Sequence, residues 1–100
     1  MTRRLIAEDN TMIAKKDLDK LLTLTRKWHR EKDRTKADDY YDQARSLSRD
    51  IAKGTKFEHE DMVAGNHIFY LARLVAEKRM PNEQLYMRIE WAGEKVDGWE

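Results

Sequence analysis

The residues best equipped for chemistry in this 100-residue chain gather at Phe57-Glu58-His59-Glu60-Asp61, with His67 downstream. Imidazoles and carboxylates this close together are the raw material of a divalent-metal site. Helical geometry argues against one. If the segment is helical, His59 and His67 stand about 80° apart around the axis and about 12 Å apart along it. A single ion holds its ligands near 2 Å, so one helix cannot bring both imidazoles to one metal. The residues four positions to either side of His67 are Val63 and Leu71, which give it no carboxylate neighbour. Glu60 and Asp61 read instead as acids favoured by the positive end of a helix dipole.

Nucleophilic catalysis fares no better. An activated Ser, Thr or Lys needs a base beside it, and Ser46 and Ser48 sit among charged residues with no histidine in local reach. The chain has no glycine-rich phosphate loop and no dinucleotide fingerprint. It has no cysteine, which removes disulfides, thiolate metal sites and thiol nucleophiles, and fits a reducing compartment. The expectation is a non-enzymatic protein with no cofactor and no metal.

Two stretches are better suited to binding. The first is Thr25-Arg26-Lys27-Trp28-His29-Arg30-Glu31-Lys32-Asp33-Arg34-Thr35-Lys36, with six cations in twelve residues. On a helix, Lys16, Lys20, Lys27 and Arg30 share one arc with Arg26 at its edge. Lys32, Arg34 and Lys36 carry the charge into the following turn. Nucleic-acid recognition needs such a face, because Lys and Arg must reach phosphates. Asp19 and Glu31 dilute it, and Asp38, Asp39 and Asp42 follow closely. Trp28 shares the phase of the leucines, which points it toward a core, and His29 falls on that side too.

The second stretch lies near the C-terminus. Met87 and Trp91 are four residues apart and about 120–160° away from the apolar stripe of their helix, with Tyr86 on its other shoulder. Trp, Tyr and Met are enriched at interface centres. With Trp99, these residues are the candidate surface for a protein partner.

Charge is distributed unevenly among the elements that carry these residues. Residues 1–36 hold eleven cations and six anions, yet the whole chain has a net charge of only +1 and an isoelectric point of 8.0. That is lower than the >9 typical of a dedicated nucleic-acid domain. Apolar periodicity predicts helices. The first starts at Asp17, with Leu18, Leu21, Leu22, Thr25 and Trp28 on one face. A break at 33–37 separates it from a second helix capped by Thr35, with a stripe of Tyr40, Ala44, Leu47 and Ile51 that ends at Gly54. The alternative is one long rod. The third helix runs from about Glu58 to Arg79 and is apolar over half its circumference, which predicts a central position. Pro81 ends it, and Asn82 caps a fourth helix with a stripe of Leu85, Ile89, Ala92 and Val96.

The expected fold class is therefore all-α, a small bundle of three to four helices. Residues 17–100 form the bundle within a single domain, 1–100. Residues 1–16 are either a short N-terminal β-hairpin, pairing Leu5-Ile6-Ala7 with Met12-Ile13-Ala14, or a loose arm. No apolar run approaches the ~18 residues that span a bilayer, and a cytoplasmic location is expected. The expected role is an adaptor or inhibitor that binds a protein partner, acting as a monomer or a homodimer, of the kind common among bacteriophage and bacterial regulators. The alternative is a nucleic-acid-binding protein that uses the basic face of the first helix.

Overall fold

The computed structural model describes residues 12–58 and 67–99. In chain order these form β1 (Met12–Ala14), α1 (Lys15–Arg30), α2 (Arg34–Ala52), α3 (His67–Ala76), α4 (Asn82–Trp91) and β2 (Lys95–Asp97). The all-α bundle expected from periodicity is what forms, with a two-stranded sheet added. Among the described residues, no helix is long and apolar enough to cross a membrane.

Helix α1 begins two residues earlier than expected, because Ala14 is extended and leads straight out of β1. Asp17 sits in its first turn, where the dipole favours an acid. Leu18, Leu21, Leu22 and Thr25 are buried as their spacing requires, and the Thr25 hydroxyl donates to the Leu21 carbonyl at 2.7 Å. Glu31 turns extended and ends the helix. The break between α1 and α2 is real and spans residues 31–33. Its cap is Asp33, whose carboxylate accepts from the Lys36 amide at 3.1 Å; Thr35, the expected cap, is already helical.

Helix α2 packs along α1 and also touches α3. Its buried line is Ala44, Ser48 and Ala52, with Leu47 and Ile51 half-buried to one side. Small residues on that line let two backbones approach closely. Helix α3 is central, as expected. Six of its ten residues are buried, and it contacts α1, α2 and α4. It stops at Ala76, three residues before the expected end, where Lys78 takes a left-handed backbone with φ 62°. The Lys78 amide then donates to Val75 and the Arg79 amide to Leu74, closing the turn. Its expected N-terminal part, including His59 and Gly65, lies outside the described residues.

Pro81 precedes α4 and Asn82 is its first helical residue, so Asn82 is not the cap. The side chain of Asn82 accepts from Arg26 instead, at 2.6 Å. Tyr86 reaches Asp19, four residues further along α4 but seven back along α1. The two helices therefore run antiparallel. Leu85 and Ile89 are fully buried. The expected stripe does not continue to Val96 as helix. Gly93, with φ 109°, ends α4, and Val96 is the buried middle residue of β2. A Cβ at Gly93 would meet only the movable end of the Lys56 side chain, so it is the left-handed backbone of the turn that calls for glycine there.

Strand β1 pairs parallel with β2, in the register Met12↔Lys95, Ile13↔Val96 and Ala14↔Asp97. This revises the expected topology. Met12–Ala14 is a strand, but its described partner comes from the other end of the chain; residues 5–7 lie outside the described residues. Parallel strands need a crossover connection, and here the helical bundle itself is the crossover.

Candidate functional site

The basic residues of α1 divide into two groups once the fold is formed. Lys16 and Lys20 are exposed near its start, in the company of acids. Lys20 shares a groove between α1 and α2 with Asp42 and Asp50. Lys16 lies beside Asp19 and Asp97. These two cations belong to mixed-charge surface.

The other end of α1 is different. Arg26, His29 and Arg30 line a cleft of about 880 Å³. Its opposite wall is the turn after α3, with Glu77, Lys78 and Arg79, followed by Met80, Pro81 and Asn82 at the start of α4. Val75 and Ala76, both nearly inaccessible, close the bottom. The hydrogen bond from Arg26 to Asn82 fixes one side of the cleft. Glu77 is the acid among the lining residues, and its carboxylate is shared between Arg79 at 3.6 Å and Arg73 at 3.7 Å. Such exposed pairs contribute only ~0–1 kcal/mol, so an incoming anion can compete for the arginines.

Arg30 also lines a second hollow of about 530 Å³ with Lys27, Glu31, Lys32 and Tyr40. The Lys27 amino group lies 5.9 Å from the centre of the Tyr40 ring. Arg34 and Lys36 are exposed in the first turn of α2, next to this hollow in sequence. Residues 26–36 and 77–82 together hold eight cations against three anions, in a chain with net charge +1. Of the nearby acids, Asp42 faces the Lys20 groove and Asp39 accepts from Gln43 at 2.9 Å, so neither lines either hollow.

Lys78 and Arg79 are the residues that sequence reasoning missed. They stand far from the basic segment along the chain, and only the packing of α3 and its following turn against α1 brings them to it. Trp28 is half-buried, packed on Tyr41 and Phe69 with ring centres 5.5 and 5.8 Å away, and Arg73 lies over it at 5.3 Å. It faces the core side, as its phase required. His29 is exposed and joins the cleft.

The candidate protein surface at the C-terminal end comes apart. Tyr86 is buried at 3% exposure and therefore cannot anchor a partner. Its hydroxyl donates to Asp19, and Lys15 lies over its ring at 5.4 Å. Burial and the Asp19 hydrogen bond push the Tyr86 phenol well above its ordinary range. Burial alone would raise the Asp19 carboxyl, but hydrogen bonds from Lys15 and Tyr86 and the charges of Lys15 and Arg26 outweigh it and hold the group below its usual value. Trp99 folds back against Tyr86, ring centres 5.7 Å apart, and Met87 is half-buried. Trp91 alone of the four stands out, 68% exposed.

The histidine and carboxylate segment gives no site among the described residues. His67 is exposed and stacks on Phe57 at 5.4 Å. No group of three or more metal-ligating side chains occurs among the described residues; His59 lies outside them. Near Phe57, Glu94 is buried. One of its oxygens accepts from the Lys56 amide at 2.8 Å, and the other has no hydrogen-bond partner among the described residues. Comparison with family models, with curated proteins and with solved structures finds no match to this chain.

Proposed function

We propose that this is a small non-enzymatic nucleic-acid-binding protein whose working surface is the basic end of the bundle. The observation that supports it is the convergence of Lys78 and Arg79 with Arg26 and Arg30 around one cleft. Net charge close to neutral does not oppose this reading, because phosphates respond to the local field. The Debye length is about 8 Å at physiological salt, so distant acids are screened. The cleft also includes the start of α4, where backbone amides and the helix dipole favour an anion.

The test is a titration of labelled oligonucleotides by fluorescence anisotropy at two salt concentrations. With about four phosphate contacts, the logarithm of affinity should fall against the logarithm of salt with a slope near −3 to −4. The double variant Arg30→Glu/Arg79→Glu should lower affinity at least about a hundredfold and flatten the slope. Binding that ignores both salt and the double variant would remove this surface from consideration.

A second reading, an adaptor or inhibitor that binds a protein partner or a second copy of itself, is favoured by the exposed Trp91 ring. A large exposed indole is a typical interface anchor. Sedimentation of the purified chain, with and without Trp91→Ala, tests the self-association form of it. We place either activity in the cytoplasm, in keeping with a chain free of cysteine.

A further inference from the structure

Resting on the nucleic-acid reading, we infer that the ligand is a single strand, with a base seated in the larger cleft and the next base against Tyr40. Three features of this surface lead there. The first is shape. A duplex presents a convex surface, and its bases are stacked inside it. A cleft of about 880 Å³ has the size of a site for a small organic ligand, and an unstacked base can enter it. The second is lining. A surface that only neutralises phosphates needs cations and no apolar bottom. Here Val75 and Ala76 provide an apolar bottom, and Met80 and Pro81 add apolar surface to the wall that carries exposed Lys78 and Arg79, across from exposed Arg30. His29 offers a ring of the kind on which bases stack.

The third observation is repetition. The second hollow again combines cations with an aromatic ring, Lys27 and Lys32 with Tyr40. Arg30 lines both hollows. Two recesses, each roomy enough to admit a base and sharing one guanidinium, form the pattern base, phosphate, base. Single-strand binders use this combination of stacking rings and a basic track, and because every base has a π-face the recognition is tolerant of sequence.

The experiment compares three probes of equal length on the full chain: an oligothymidylate, its duplex with oligoadenylate, and an abasic sugar–phosphate strand. The oligothymidylate should bind at least about tenfold tighter than either of the others. His29→Ala and Tyr40→Leu, with helicity checked by circular dichroism, should each weaken oligothymidylate binding roughly fivefold or more without changing the salt slope, since neither removes a permanent cation. His29 is exposed, so its variant keeps the test meaningful even where Tyr40→Leu disturbs packing. Equal or tighter binding of the duplex, or of the abasic strand, overturns the single-strand inference while leaving the nucleic-acid reading in place. Failure of all three probes to bind at low salt overturns both.

Discussion

At one end of α1, Arg26, Arg30, Lys78 and Arg79 surround a cleft with Glu77 as the acid among them. At the other end, similar residue types are tied into the fold. Lys15 bonds Asp19 at 2.8 Å, Asp19 accepts from Tyr86, and Trp99 covers the Tyr86 ring. Nearby, Glu94 holds the Lys56 amide and the Lys56 amino group donates to the Ala92 carbonyl. The lesson is that cations and aromatics in this chain do not announce their role by type. What separates the two ends is how far the charges are used up by their neighbours. Lys15, Asp19 and Tyr86 close into one group, whereas Arg30 and Lys78 stand exposed at the cleft, with Arg26 held by Asn82 to fix its side.

That contrast can be broken by substitution. Glu94→Ala should have the largest effect on stability, about 1–3 kcal/mol in urea unfolding, because the part-buried Lys56 amide loses its bond to a carboxylate. Oligonucleotide affinity should not change. If affinity fell with it, the two ends would be coupled and the contrast would fail.

The acid limb of the stability curve comes next. The Asp19 carboxyl is held below its usual value in the folded chain. Its contribution is therefore complete above the unfolded value of about 3.9 and is lost as pH falls through the lower folded value. Asp19→Asn should flatten the decline in thermal midpoint below about pH 4 relative to the parent. An unaltered acid limb would show that the Lys15–Asp19–Tyr86 group contributes no pH-dependent stability.

Lys78→Gly probes the basic end. A lysine at φ 62° is strained, so glycine should raise stability by up to about 1 kcal/mol. It should also weaken oligonucleotide binding, because a rim cation is gone. A variant that is more stable and binds as well as the parent would remove Lys78 from the surface. The smallest effect is expected from Trp91→Ala, within about 0.5 kcal/mol of the parent, as for an exposed site away from packing. A larger loss would mean that the indole supports the bundle.

Much of the fold could be read from local pattern. Leu18, Leu21 and Leu22 fell on the buried face, the α1–α2 break was marked by turn and cap residues, and the width of the α3 stripe foretold its central position. Other features depended on distant partners. Val96 keeps helical phase with Leu85 and Ile89, and it is buried, but as a strand residue opposite Ile13. A three-residue strand has too little sequence to show its own period. Tyr86 looked like a shoulder residue because nothing local reveals that Asp19 waits opposite it. Half of the cleft was legible as the basic run of α1. The other half, Lys78 and Arg79, was not, because its position follows from the course of α3 rather than from any motif.

The parallel ladder between β1 and β2 has a mechanical consequence. The chain enters through the leading end of β1 and leaves through the trailing end of β2, and the two strands point the same way. Tension between the two ends of the chain would drag these strands past each other lengthwise. The hydrogen bonds that cross between them would be strained together instead of being peeled away one at a time. Three paired residues thus act as a clasp across the ends of the chain, and a pulled molecule should resist until that clasp slips and the helices behind it come under load.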